Sequence, residues 1–455
     1  MKRMTTLSIS IILIFSIFLS ACGGNNGGAP ANTTTGGNAG NAKETNAPAG
    51  GETGKKVELT MSAWGNPAEL KVYQRALDAF MKENPNTKIK LIPVPGDYEQ
   101  KIMTELSGGA GPDLFYVGDG LMSKLIENKS IVDLTEFANS ELSYAKPDEF
   151  APGLWGPAKV GENIFGMPVD SNPMVLYYNK KLFKDAGLKT PQEYFDEGSW
   201  NWETFKMVAE TFQSMKKYGF VQENWWGPML NWIWSNGGEM YDENGNYVMD
   251  KNDKAKEALV FISDLVKGGG VIYSGSLPQG QGQDAMFMSQ QVAMVGAGRW
   301  LTPMFSENKS LEFDYIPYPT NTGNKTETAA VPAAYLALNA NSKNQPEALK
   351  VLTYYVSKAG QEARLADTGN AIPSIAGLDY VVTDKGIPEH AQYLLDAREK
   401  GVSFGAPRAA AALVPGLGQD IQELYDLMLL GKADPEATIA AITKKVQEKT
   451  AEAAK

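Results

Sequence analysis

The chain has 455 residues, with 53 acidic against 42 basic side chains, a formal net charge of −11, 43% hydrophobic residues, one Cys and one His. That length allows two or three domains with large buried cores, and the acidic balance, with no basic run beyond the extreme N-terminus, argues against nucleic acid or an anionic membrane surface as a partner. A lone Cys excludes an internal disulfide, and His390 by itself leaves His-based zinc sites and Ser-His-Asp chemistry without their residues, so neither a metal nor a cofactor is expected.

Lys2 and Arg3 precede an apolar run, Ile11 to Leu19, that ends in Leu19-Ser20-Ala21-Cys22. A charged start, a short apolar stretch and small residues before the cut read as a secretory signal over residues 1–21 rather than a permanent span, which needs about 20 predominantly apolar residues. Leu-Ser-Ala-Cys resembles a bacterial lipobox, which implies cleavage before Cys22 and lipidation of its thiol. Cleavage removes two positive charges and no negative one, taking the net charge from −11 to −13. Residues 23–54 contain only Gly, Asn, Ala, Thr, Pro, Glu and Lys. Such a segment cannot offset its ordering entropy by burial, so 22–56 is expected to be a lipid-tethered linker with a mean reach of about 30 Å.

From Val57 onward the pattern is that of α/β units. Val57, Leu59, Met61 and Ala63 alternate with Glu58, Thr60 and Ser62, predicting a strand; after Trp64-Gly65-Asn66-Pro67, residues Leu70, Tyr73, Leu77, Phe80 and Met81 share a helix face. A strand is predicted over 88–94, a helix over 98–106, and a strand over 114–117, whose continuous apolar run suits burial on both faces. Three strands with two crossovers imply a doubly wound parallel sheet, whose ligands sit at the carboxyl ends of the strands. Trp64, Asn66 and Asp119 fall at such ends. The stretch 165–179, punctuated by Pro168 and Pro173, is a candidate crossing into a second lobe. Helices are expected over 202–215, 254–266 and 283–289, strands over 292–295 and 333–338, and a helix from Pro346 to residue 356. Asp434-Pro435 signals the start of the last helix, with Ile439, Ile442 and Val446 as its buried stripe.

Four of the nine tryptophans, Trp225, Trp226, Trp232 and Trp234, lie within ten residues, among Gly227, Pro228 and Asn231. Turn residues between bulky aromatics predict a loop-borne aromatic surface. An indole offers an apolar face and one N–H donor, which suits a sugar ring; the alternative is that two or three of these side chains are core. Gly296-Ala-Gly-Arg-Trp300 follows the strand over 292–295 and projects Arg299 and Trp300 from its carboxyl end, Trp300 to stack and Arg299 either on the ligand or in a structural ion pair. Asp119 and Asp170 are acceptors for hydroxyl groups, at ~1.5–3 kcal/mol for a charge-assisted bond, unless they cap helices or sit in solvated turns. No phosphate loop is present: 108–111 leads into a strand rather than out of one, and Gly416-Leu-Gly418 is a lone G-x-G before a helix. His390 reads as a surface residue of a helix over 391–398.

Taken together, these residues resemble a known family, the carbohydrate-class extracellular solute-binding proteins of ABC importers, family 1, with the maltose-binding-protein-like layout. The likeness rests on Val94 to Lys101, Ala110-Gly-Pro-Asp to Asp119, Gly166-Met-Pro-Val-Asp170 with Leu176 to Lys180, Met286 to Met294 with Gly298-Arg-Trp300, and Thr368-Gly-Asn-Ala-Ile-Pro-Ser374. It implies an α/β fold of two hinged lobes, the type II periplasmic-binding-protein-like fold, each lobe a mostly parallel sheet flanked by helices: 57–168 with 330–372, and 169–329 with 373–455. It implies crossings near Asp170, Tyr335 and Ile372, and a sugar in the cleft. Trp64, Asn66 and Asp119 would line one wall, Asp170 the hinge side, Trp232 and Trp300 the facing wall, with Tyr335 near a crossing. A pair of membrane permease subunits, a cytoplasmic ATPase, a monomeric state and a lipid-anchored place on the outer face of a Gram-positive cytoplasmic membrane follow from the same resemblance. The rival expectation is a secreted glycoside hydrolase using Asp119 and Asp170. A peptide or metal binder is disfavoured by the Trp density and the lack of His and Cys.

Overall fold

The alternation of strand and helix after Val57 builds two sheets. The structure, a computed structural model, describes residues 56–94, 96–278 and 281–453; the expected signal, Cys22 and the linker up to residue 55 lie outside these. Besides two short two-stranded ladders, the strands of two five-stranded sheets are β1 (Val57–Ala63), β2 (Thr87–Pro93), β3 (Leu114–Gly118), β4 (Met167–Ser171), β5 (Val175–Asn179), β6 (Tyr218–Gln222), β7 (Val271–Tyr273), β8 (Val292–Ala297), β9 (Phe313–Ile316) and β10 (Ala333–Leu338). The first sheet has the order β2-β1-β3-β10-β4 and the second β9-β5-β8-β6-β7. β1 is parallel to β2, from Val57 opposite Thr87 to Ala63 opposite Pro93, and to β3; β10 runs antiparallel to both β3 and β4. In the second sheet β8 is parallel to β6, β6 is parallel to β7, and β5 is antiparallel to β8 and β9. Each sheet therefore has four strands running one way and one reversed strand, as expected of a mostly parallel α/β fold.

Burial follows the period of the strands. Val175 and Tyr177 of β5 enter one core cluster while Leu176 and Tyr178 enter another, so the second sheet is covered on both faces. The first sheet has its own core, to which Leu59, Met61, Phe115 and Leu336 contribute. The helix α1 (Pro67–Glu83) lays Tyr73, Leu77 and Phe80 on that core. α2 (Tyr98–Ser107) does so with Tyr98, Ile102 and Leu106, and α3 (Asp119–Glu127) follows β3 directly. The helices expected further along appear at Trp202–Ser214, Asp253–Gly268, Gln283–Met288 and Gln345–Val356.

Between the sheets, three segments run side by side. Ser171 and Ile372 exchange backbone hydrogen bonds at 3.0 and 3.1 Å, and the Asn172 N–H donates to the Pro332 carbonyl at 3.1 Å. One expectation fails locally. The Trp-rich segment is not a loop but a helix, α4 (Gly227–Ser235), with Pro228 in its first turn. Gly-Pro reads as a turn, yet proline is equally at home where a helix starts, because its missing N–H has no partner there anyway. α5 (Leu417–Leu429) and the terminal α6 (Pro435–Ala453) pack on the second core, the latter through Ile439, Ile442 and Val446, with the Asp434 carboxylate accepting the Ala437 N–H at 2.7 Å. Among the described residues, no helix is long and apolar enough to cross a membrane.

Candidate functional site

A cavity of about 740 Å³ is lined by strands of the first sheet and by segments that follow strands of the second, a size suited to a small organic ligand. β1 delivers Trp64 to its wall, and Tyr98 and Tyr116 grip the indole edge-on with ring centroids 5.1 and 5.4 Å away. The chain then turns at Gly65, whose φ of +126° favours glycine, into the N-cap of α1. The Asn66 side-chain Oδ1 accepts the Ala68 and Glu69 N–H groups at 2.9 and 3.1 Å, and Glu69 Oε2 accepts the Asn66 backbone N–H and side-chain amide N–H at 3.0 and 2.9 Å. This reciprocal cap uses Asn66 for the helix, so Asn66 is not on the cavity wall as expected; it sets the Glu69 carboxyl there instead.

β3 ends at Gly118, and Asp119 opens α3 on the cavity wall. Its Oδ1 accepts the Tyr335 hydroxyl at 2.9 Å and its Oδ2 the Ala333 N–H at 3.3 Å. Burial pushes its pKa up to about 7, with those two hydrogen bonds opposing the rise. Tyr335 lies under Asp119, almost fully buried and off the wall, so it positions the acid rather than facing the cavity. Asp170, in β4, is lifted by burial and opposed chiefly by Arg364, whose Nη1 stands 3.5 Å from Oδ2; Asn172 donates to Oδ1 at 3.2 Å. Glu69 is pushed by burial up to about 7, against the Asn66 backbone N–H.

The opposite wall carries Trp225, Trp226 and Trp300. Each indole leans on a glycine: a Cβ on Gly298 would stand 2.3 Å from the Trp300 ring, one on Gly227 1.9 Å from Trp225, and one on Gly418 2.8 Å from Trp226. Phe404 lies against Trp226 with centroids 4.7 Å apart. Trp232 and Arg299 correct the sequence reading. Trp232 is 0% exposed, packed between Phe205, Phe220 and Tyr318, and its Nε1 donates to Gln222 at 2.8 Å. α4 buries its whole apolar circumference, so helical spacing sends Trp232 and Trp234 inward while Trp225 and Trp226 remain at the helix start beside the cavity. Arg299 is 1% exposed, and its guanidinium donates to the backbone carbonyls of Ala371 at 3.0 Å, Val381 at 3.3 Å and Asp367 at 3.4 Å. It ties a crossing segment together and, among the described residues, pairs with no acid. His390 also differs from the expected surface residue: it precedes the helix Gln392–Lys400, half-buried, with Nδ1 2.9 Å from Asp314. Lys180 reaches the same Asp314 at 2.9 Å and Glu389 at 3.0 Å, so this cluster is an ion-pair network rather than a vacant ligand set.

A family model described as "Bacterial extracellular solute-binding protein" matches residues 64–362, well over half of the chain. The chain belongs to that family. The multiple sugar-binding protein of Streptococcus mutans is 22% identical over 322 residues, covering 66% of this chain and 71% of the relative. The ABC substrate-binding protein of Listeria monocytogenes in complex with cycloalternan superposes with a TM-score of 0.74 at 20% identity, covering 87% of this chain and 99% of that one. Maltose-bound MalE3 of T. maritima gives 0.69 at 21% identity over 86% and 99%. These solved structures share the two-lobe fold.

In this solute-binding protein, several wall residues were not among the expected site residues, although Glu99 and Asn370 lie within the stretches 94–101 and 368–374 that carry the resemblance. Glu69, Glu99, Asn370, Gln422 and Asp426 line the cavity. Glu69 was findable, since Asn66 followed three residues later by Glu is a capping-box signature. Gln422 and Asp426 are one turn apart on α5, and the lone Gly416-Leu-Gly418 ahead of them is where α5 meets the cavity.

Proposed function

We propose that this solute-binding protein captures a sugar, as a di- or oligosaccharide, between its lobes and delivers it to an ABC permease pair driven by a cytoplasmic ATPase. The observation that carries this reading is one cavity with indoles on facing walls, Trp64 against Trp225, Trp226 and Trp300, interleaved with carboxyl acceptors. Indoles cover the apolar faces of pyranose rings while carboxylates take their hydroxyls. The relatives support the same ligand class, since their own names record cycloalternan, maltose and multiple sugars.

The lobes are 57–168 with 330–372 and 169–329 with 373–455, and the three adjacent segments at 171–172, 332 and 372 are their hinge. A sugar touching both walls binds the closed arrangement better and so shifts the population toward it. On this reading the site binds without breaking bonds: the family is one of binding proteins, and the protein donors on Asp119 and Asp170 hold each carboxyl in place as a fixed acceptor rather than leaving it to swing between acid and base roles. Lipidated Cys22 holds a monomer on the outer membrane face of a Gram-positive cell, and the 22–56 linker sets its reach. The test is calorimetric titration with mono-, di- and oligosaccharides beside a reducing-end assay. Saturable binding with no new reducing ends is the expected result; hydrolysis, or no binding across the panel, overturns the reading.

A further inference from the structure

Glu99 stands apart from every other acid on the cavity wall. Glu69 is held by Asn66 and Tyr73, Asp119 by Tyr335 and Ala333, Asp170 by Arg364 and Asn172, and Asp426 by Tyr273 and Gln422. Glu99, in the first turn of α2, has no hydrogen-bond or ion-pair partner among the described residues and is open to solvent. Its Oε1 lies 3.6 Å from the point where a Cβ on Gly118 would stand, and the Trp64 ring lies 3.9 Å from that same point. A carboxylate thus shares the floor over Gly118 with the indole that stacks the sugar. No Lys, Arg or His is among the described lining residues. The cations behind the walls are engaged as well: Arg364 is paired with Asp170 and Lys449 with Asp420, and the buried Arg299 guanidinium donates to the backbone carbonyls of Ala371, Val381 and Asp367.

Resting on the sugar reading above, we propose that Glu99 is a specificity-determining residue that makes the cleft charge-selective. It admits saccharides whose rings are neutral or carry an amine and rejects those bearing a carboxylate or phosphate. The physical reason is asymmetry. A hydroxyl or ammonium group can donate to the unpaired Glu99 oxygens, beside an aromatic face that also favours a cation. An acidic ring instead brings a second negative charge up to Glu99 in a cleft whose described lining offers no counter-charge.

The test compares maltose, cellobiose, laminaribiose and xylobiose with the uronate and amino counterparts of whichever of the four binds most tightly, in wild type and in Glu99→Gln and Glu99→Ala. Affinity is read by calorimetry and by cleft Trp fluorescence at 0.05 and 0.5 M salt, with unfolding midpoints confirming that the variants fold. The uronate is expected to bind about 30-fold more weakly than its neutral parent. Glu99→Gln is expected to close that gap by at least about fivefold, and added salt to narrow it in wild type only, which steric exclusion would not do. Equal affinity for uronate and parent, a gap indifferent to both Glu99 variants and to salt, or binding of the uronate alone each overturns the proposal. Failure of every saccharide to bind at millimolar concentration instead sinks the sugar reading on which it rests.

Discussion

Asp119, which opens α3 after β3, and Trp300, which follows β8, both line the cavity and offer it different chemistry. Removing either by Trp300→Ala or Asp119→Ala takes away a stacking face or a charged acceptor, an expected loss of ~1.5–3 kcal/mol, or roughly tenfold to a few hundredfold in sugar affinity by titration. Wild-type affinity in both variants would remove them from the site. The raised carboxyls also leave a signature on stability. Glu69 and Asp119 each sit at about 7, above their ordinary values of 4.5 and 3.8. Between the ordinary value and 7 the folded protein keeps protons that the unfolded chain has released, so the ligand-free protein loses stability as pH rises through that window and levels off above it. For Glu69 the full swing is roughly 3 kcal/mol. Denaturant unfolding from pH 4.5 to 8 is expected to show this decline, shallower in Glu69→Gln. Identical slopes in the two proteins would refute the assignment.

At the scale of elements, the cleft is a set of strand ends whose glycines make room for indoles. Gly298 follows β8 at a φ of −75°, an ordinary value for any residue, so what alanine meets there is the Trp300 ring and the Asn172 side chain, not backbone strain. Gly298→Ala is therefore expected to push Trp300 off its seat and weaken sugar binding about tenfold, with an overpacking cost of ~1–3 kcal/mol in unfolding free energy. Unchanged affinity together with unchanged Trp fluorescence would show that the seat is dispensable. The same logic explains α4. Its start supplies the cavity with Trp225 and Trp226, while its body is a core helix whose Trp232 and Trp234 satisfy their N–H groups on Gln222 and Glu239.

For the whole molecule, the two sheets have separate cores, as the proposed hinge closure requires if each half is to keep its own packing while the cleft narrows. Lys71 of α1 and Glu307, at the end of the helix that follows β8, pair at 2.8 Å across this divide. Both are largely exposed, and such pairs contribute little to stability. A bridging sugar is the stronger tie: at about 100 times its dissociation constant it adds ~2.7 kcal/mol, visible as a thermal shift. The tether is tested separately by Cys22→Ala, which is expected to release the protein into the medium or leave it unprocessed. Membrane retention with a processed N-terminus would contradict the anchor.

Local patterning predicted β1, β2, β3, β8 and β10 and the helices Pro67–Glu83 and Tyr98–Ser107, because periods of 2 and 3.6 are written in neighbouring residues, while it missed α4 and gave no strand for β6, β7 or β9. It also placed Trp64 and Asp119 at strand ends, and the strand end after 292–295 brought Trp300 within reach of the wall. Tertiary structure alone decided that Arg299 turns inward onto backbone carbonyls while its neighbour Trp300 faces out, that two of four clustered tryptophans are core, and that Glu69, Gln422 and Asp426 converge on one cavity. Those outcomes depend on which surface arrives from the other lobe, and a side chain's own neighbours in the chain carry no record of it.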